Sequence, residues 1–437
     1  MKSFTSLPAL LALPLLCAAT PLDPRTASSC QDVTFTLTAS ATNRLALNPP
    51  ANFQDINLVI PFLLQPNVPY QVSGTYKLYG QYCAPTSKIP GREKTLQILV
   101  HGNTYSHTYF NGLEALPSSG QPSWTGFFNR LGYATLAIDR LGFGRSDHPD
   151  PLLVVQAPYQ AALYTELIKL LKSSATLPGS IPNQWSKVVW VGHSYGSVIG
   201  TQISANFPAA DVAAYIQTGI AVPKEGQNAL PGQLGGLYVP ASTYDPVRFP
   251  PTTYAPGYVV SSSKVGRENS FYSIPGGDFS TAKFDQDFKT QEPAALGEIL
   301  TSNVYTSASY NRPVFVLAGR ADAVFCGNGS RALGTPDCGE GPNSQLAAIK
   351  TLYPAGKISS CFGLDPVKLT SPTVKYQRRN LTRIPSQIVG IAITSITRRH
   401  WVLQKWKSSC RSKGFNCRIQ MDLQLVLASP LLTPYMT

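Results

Sequence analysis

The sequence predicts an α/β fold: a mostly parallel central sheet flanked by helices, with an inserted cap. Three observations lead there. Short apolar runs alternate with helical patterns, which is the signature of βαβ units. Most of these runs end in a glycine-containing loop. About 90 residues rich in Pro, Tyr, Ser and Gly separate two of the runs, too long for a plain connection in a compact domain.

Two early stretches, DVTFTLTAS (32–40) and YQVSGTYKLYGQYC (70–83), alternate as extended strands do. TLQILV (95–100) is a continuous apolar run, the mark of a strand buried on both faces, and it leads into His101-Gly102. YATLAIDR (133–140) follows and runs into LGFGRSD. In PYQAALYTELIKLLKSS (158–174), Ala161, Leu163, Leu167, Leu170 and Leu171 fall roughly on one helical face. KVVWVG (187–192) is the next strand, SVIGTQISANF (197–207) the next helix, and AAYIQTG (213–219) and RPVFVLAG (312–319) are later strands. In such sheets the ligand site lies beyond the carboxyl ends of the strands. The long segment from Val222, including VPASTYDPVRFPPTTYAPGYVVSSS, reads as a lid or cap over that site, with a surface insertion as the plainer alternative.

The chain has 437 residues, 43% of them hydrophobic and only 14% charged, with 21 Tyr. That suits a loop-rich extracellular protein. The net charge of +13 is concentrated after residue 356, where thirteen Lys and Arg face two acids. The preceding chain is nearly neutral, so nucleic acid is not an expected partner. MKSFTSLPALLALPLLCAA has one Lys, an apolar run and small residues at the end. It reads as a secretory signal peptide over 1–19, too short to span a membrane. No other run is long enough for a membrane span. Removal of the leader leaves seven cysteines, which should mostly pair outside the cell. Cys30 with Cys83 would tie the N-terminal segment to the early sheet, and Cys326 with Cys338 would close a short loop. Asn328-Gly-Ser and Asn380-Leu-Thr are glycosylation sequons. No cysteine pair has CxxC spacing and the five His are scattered, so no metal site is expected.

Gly192-His193-Ser194-Tyr195-Gly196 lies between KVVWV and a helix. This is the strand-turn-helix context in which G-x-S-x-G makes a nucleophile elbow. A serine on a positive-φ turn projects its Oγ into the site, and Gly192 and Gly196 keep Cβ atoms off the neighbouring strand and helix. The N–H of Tyr195 is one expected oxyanion donor, and the following helix aims its positive end at the site. The loop His101-Gly102-Asn103-Thr104 is placed to supply the second donor from Asn103. His101 reads as structural, and His107 as a surface residue or a substrate contact.

Taken together, VHGNTYSHTYF, AIDRLGFGRSD and VGHSYGS resemble the α/β-hydrolase superfamily, in particular its secreted fungal members. The resemblance covers roughly residues 70–354. It implies an α/β-hydrolase fold and a Ser-Asp-His triad in that chain order, and it makes the turn after Asp139 structural. Asp322, three residues past Gly319, matches the family's acid position, where it would fix a histidine tautomer. After His193 the one remaining histidine is His400, in VGIAITSITRRHWVLQKW, where Arg399 replaces the family's usual glycine. The basic segment is either a divergent tail or the product of an intron or shifted frame near Lys357, in which case His400 is accidental.

These readings define a signal peptide (1–19), a hydrolase core in two parts (20–221 and 309–355), a cap (222–308) and an atypical basic segment (356–437). The expected function is that of a secreted serine hydrolase acting on a small ester or lactone, with Ser194, Asp322 and His400 catalytic, and no cofactor or metal. Serine at the elbow argues against dehalogenase and epoxide-hydrolase chemistry, which use an aspartate nucleophile. A peptidase on the same scaffold and a binding protein that has lost its base are the alternatives. The sequence is silent on oligomeric state.

Overall fold

The computed structural model describes residues 30–50, 58, 61–62, 64–117, 123–222, 238–272, 280–319, 322, 324–326, 338, 344–345 and 347–362. The signal peptide, both sequons, Cys410, Cys417 and His400 lie outside the described residues.

An eight-stranded sheet organises the chain, in the order β1-β2-β4-β3-β5-β6-β10-β11. β1 (Cys30–Arg44) and β2 (Pro69–Cys83) pair antiparallel along their whole length, and β2 continues antiparallel onto β4 (Ala134–Ile138). From β4 onward every pairing is parallel: β4 with β3 (Thr95–Val100), then β5 (Lys187–His193), β6 (Ala214–Thr218), β10 (Pro313–Ala318) and β11 (Lys357–Phe362). The mostly parallel sheet expected from the apolar runs is therefore present.

Burial follows position in the sheet. Every residue of β3, β4 and β6 is buried, because layers cover both faces. β1, at the edge, alternates: Val33, Phe35, Leu37 and Ala39 point inward. On its other face Thr38 meets Thr75 at 2.7 Å and Ser40 meets Ser73 at 2.9 Å, hydroxyl pairs that suit a wet surface.

On one face, α2 (Ala157–Lys172) and α3 (Tyr195–Asn206) pack over the main core, which includes Leu167, Leu171, Trp190 and Ile199. Of the helical face read from the sequence, Leu170 alone is only half-buried. The other face is aromatic. A 3-10 turn (His107–Asn111) and α1 (Trp124–Arg130) set Tyr109, Phe110, Trp124 and Phe128 over Leu99, Val189, Val191 and Ile216.

The segment between β6 and β10 carries a separate three-stranded sheet of β7 (Tyr238–Pro240), β8 (Tyr258–Ser261) and β9 (Ala294–Ala295). It also carries α4 (Lys264–Phe271), α5 (Thr281–Lys289) and α6 (Leu296–Leu300). It packs on loops at the carboxyl edge of the main sheet: Tyr258 Oη donates to the Pro149 carbonyl (2.7 Å) and Lys283 Nζ to that of Gly112 (3.0 Å).

β11 is an addition to the sequence reading. Its residues KISSCF open the basic segment, yet they pair in parallel with β10 from Pro313↔Lys357 to Ala318↔Phe362.

Disulfides join Cys30 to Cys83 and Cys326 to Cys338, the two pairs expected. The first links partners in the β1–β2 register, 53 residues apart in sequence. A Cys30→Ser/Cys83→Ser variant should lose about 2–4 kcal/mol of stability, because the unfolded chain regains a long open loop. Urea unfolding of the two proteins in parallel checks this.

Candidate active site

The parallel strands deliver their loops to one edge. β3 ends in His101-Gly102-Asn103-Thr104, β4 in Asp139-Arg140, β5 in Ser194, β6 in Gly219, and β10 in the loop that reaches Asp322. Because Val100 pairs with Gly192, and His193 with Thr218, the first, third and fourth of these loops are immediate neighbours.

Ser194 sits between β5 and α3 with φ 51° and ψ −115°, a conformation that costs a non-glycine residue about 1–3 kcal/mol. Its surroundings hold it there. Its N–H donates to the Thr218 carbonyl (2.8 Å), and its carbonyl accepts from Ser197 (2.8 Å) and Val198 (3.1 Å). The flanking glycines are required by space. A Cβ on Gly192 would lie 2.5 Å from the Gly196 carbonyl oxygen, and one on Gly196 would lie 2.1 Å from that of Val100. A Cβ on Gly102 would lie 2.8 Å from Ser194 Cβ, so the His-Gly loop runs directly against the serine.

Among the described residues, neither the Asn103 nor the Tyr195 amide N–H has an acceptor. Buried amides are otherwise almost always paired. The peptide plane that carries the Asn103 N–H is held from behind. Its Gly102 carbonyl accepts from His101 Nδ1 (2.8 Å) and is approached by Arg140 Nη2 (3.4 Å). Because the peptide is planar and trans, the N–H points away from those donors. His101 is spent on this task, since its Nε2 accepts the Arg140 backbone N–H (3.0 Å).

Arg140 was not singled out by sequence reasoning, nor was its partner Glu298 on α6. Both side chains are fully buried and paired. Arg140 Nη2 also donates to Asn103 Oδ1 (3.0 Å), and Gln160 Nε2 donates to Glu298 (2.6 Å). The one available signal for Arg140 was its place beside Asp139 at the end of a mostly apolar strand. Arg267 on α4 and Asp287 on α5 form a second buried pair, at 2.7 Å, that the sequence did not reveal.

Asp139 serves structure, as the family resemblance implies. Its Oδ1 accepts the His107 N–H (2.7 Å) and faces His107 Nδ1 (2.8 Å), and its Oδ2 accepts the Arg145 N–H (3.0 Å). His107 is thus buried and bonded to Asp139, not a surface residue. Asp322 Oδ1 accepts the N–H groups of Val324 and Phe325, both at 2.9 Å, and burial raises its pKa.

The two histidines of these loops, His101 and His193, are both poor bases. Burial pushes His193 down to about 3 and holds His101 well below the usual imidazole range. The Thr218 hydroxyl donates to the Gly192 carbonyl (3.2 Å), so at 3.0 Å His193 Nδ1 is the donor to it. The His193 ring also stacks on Tyr109, centroids 4.4 Å apart. The structure brings Ser194, Gly192, Gly196, Asn103 and Tyr195 together and sets Asp322 on a loop at the same edge. His400 lies outside the described residues, as does everything after β11.

A family model described as the alpha/beta hydrolase family matches residues 97–333, more than half of the chain. The chain belongs to the alpha/beta hydrolase family. Solved structures with a similar fold include epoxide hydrolase A from Mycobacterium thermoresistibile (13% identity, 70% of this chain and 97% of that one, TM-score 0.38). An alpha/beta hydrolase from Penicillium sp. sh18 is similar at 13% identity (80% and 96%, TM-score 0.41). A proline iminopeptidase from Mycobacterium smegmatis is similar at 13% (69% and 92%, TM-score 0.39). No curated protein sequence matches. No helix among the described residues is long and apolar enough to cross a membrane, and no group of three or more His, Cys, Asp or Glu among them could hold a metal ion.

Two predictions follow from this geometry. Gly196→Ala should destabilise the protein by more than 2 kcal/mol, because the clash is with backbone oxygen that has nowhere to move; thermal melting or soluble yield reads it. The second concerns Glu292, which burial raises from 4.5 to about 7 against the opposing pull of Arg248, 3.2 Å away. The native state keeps a proton there that the unfolded chain has released. The contribution of Glu292 to stability should therefore fall as pH rises from about 4.5 to about 7, at no more than about 1.4 kcal/mol per pH unit, and then level off, while the buried histidines His101 and His193 act in the opposite sense. The stability of the wild type relative to Glu292→Gln should decline between pH 5 and pH 7 and change little from pH 7 to 8, as read from parallel melts at pH 5, 6, 7 and 8.

Proposed function

We propose that the chain is a secreted serine hydrolase that cleaves a carboxylic ester or lactone of a small molecule through an acyl-enzyme. The observation that carries this reading is the strained backbone of Ser194, held between two acceptor-free amides at the carboxyl edge of the sheet. Strain of that kind persists only where the surroundings over-determine it. Ser194 Oγ attacks the carbonyl carbon as a base takes its proton, and the amides of Asn103 and Tyr195 receive the developing oxyanion. The alcohol departs with that proton as its C–O bond breaks, and water then hydrolyses the acyl-serine by the same route. Each such donor lowers the barrier by about 3 kcal/mol.

Asp322 is the proposed acid. The two backbone donors on Oδ1 fix the carboxylate and leave Oδ2 for a histidine, whose tautomer it would set. His400 is the proposed base, on chain order after β10 and β11, and the poor basicity of His101 and His193 supports a base from later in the chain. The segment 222–308 is the proposed cap. Two disulfides support an oxidising compartment, in line with a leader over 1–19 and glycosylation at Asn328 and Asn380.

A fluorophosphonate probe tests the reading. It should label the wild type, and Ser194→Ala should abolish labelling and reduce hydrolysis of p-nitrophenyl acetate at least 1,000-fold. An unlabelled wild type would favour a binding protein without a base. Faster turnover of peptide p-nitroanilides than of short esters would favour a peptidase.

A further inference from the structure

Thr104 follows the Asn103 amide and has φ 63°, an outlier for a β-branched residue. It is fully buried, and three contacts hold it. Its hydroxyl donates to the Asn103 carbonyl oxygen (2.6 Å) and accepts from Arg267 Nη1. Its own carbonyl accepts the Glu292 backbone N–H (3.0 Å). Arg267 and Glu292 both come from the segment between β6 and β10.

Arg267 is locked in turn. Asp287 takes its Nε at 2.9 Å and its Nη2 at 2.7 Å, a two-pronged carboxylate pair with almost no exposure. Tyr272 Oη donates to the same carboxylate (2.8 Å). The guanidinium lies over Tyr105 and Phe271, 4.7 and 4.5 Å from the ring centroids. With its other nitrogens taken, Nη1 is the prong presented to Thr104.

We propose that Arg267, fixed by Asp287, is a positioning residue for the Asn103 amide and acts on it through Thr104. The inference rests on the serine-hydrolase reading above for the amide's role. Substrate does not touch Arg267. The arginine holds the strained residue that fixes the loop next to Ser194, so the segment between β6 and β10 is at this point part of the oxyanion loop and does not lift from it during turnover. Misplacing a donor by about 1 Å is enough to cost on the order of 100-fold in rate.

The test compares Thr104→Val, Thr104→Ser and the charge-neutral pair Arg267→Met/Asp287→Asn in the full chain. The paired change avoids leaving a buried charge alone, and Thr104→Val removes only the hydroxyl link. With p-nitrophenyl acetate, Thr104→Val and the paired variant should lose 10- to 100-fold in kcat with KM within threefold, while Thr104→Ser stays within threefold of wild type. Amide hydrogen exchange of the peptide spanning residues 101–105 should speed up in the first two and not in the third. Unchanged kcat and unchanged exchange in Thr104→Val would overturn the proposal, as would a loss shared equally by Thr104→Ser. If the wild type resists fluorophosphonate and hydrolyses nothing, the hydrolase reading fails, and hydrogen exchange alone then decides whether the clamp exists.

Discussion

The approach of Gly196 to the Val100 carbonyl is the contact on which the site depends. A Cβ there would come within 2.1 Å of that oxygen, so the first turn of α3 lies directly on the end of β3. The same closeness puts Gly102 against Ser194 and sets the His-Gly loop beside the elbow. Parallel pairing of β3 with β5 makes the arrangement possible, because it ends both strands at the same edge. An antiparallel pair would send the two loops to opposite ends of the sheet.

Charge is used around this edge to hold backbone. Asp139 ties the turn after β4 to His107 and Arg145. Arg140 reaches the Gly102 carbonyl and the Asn103 side chain, and Glu298 balances its charge. Isolated charges at such depth would be prohibitive. Paired with carboxylates and satisfied by carbonyls, they fix loops that apolar packing alone would leave free to slide. Both balancing carboxylates, Asp287 and Glu298, come from the segment between β6 and β10. The Arg140–Glu298 pair therefore joins the sheet edge to that segment, while Arg267 and Asp287 pair within the segment and reach the edge through Thr104.

Much of the fold was legible because fully covered strands must be apolar throughout. TLQILV, apart from Gln97, and KVVWVG announce themselves on that ground, RPVFVLAG does so although Pro313, Phe315 and Leu317 are only half-buried, and the alternation of DVTFTLTAS reports an edge strand with one wet face. KISSCF was missed because it is short, half polar and opens a basic stretch, and its strand character comes from pairing with β10. His107 was misjudged because its burial depends on Asp139, 32 residues away. The elbow was legible because its steric demands, local at Gly192 and across the sheet at Gly196, are both met by glycine and so are written into one short motif. The disulfides were legible because Cys30–Cys83 ties the N-terminal segment to the early sheet and Cys326–Cys338 closes a short loop.

The sequence by itself determined the strand and helix periods and the Gly192 turn, since these depend on neighbours a few residues apart, whereas the closeness of Gly196 to Val100 and of Gly102 to Ser194 is set across the sheet. Tertiary structure alone decided which charges meet. Arg140 finds Glu298 across 158 residues, and Arg267 finds Thr104 across 163. Long side chains pair according to where the folded backbone brings them, and no local pattern of residues encodes that distance.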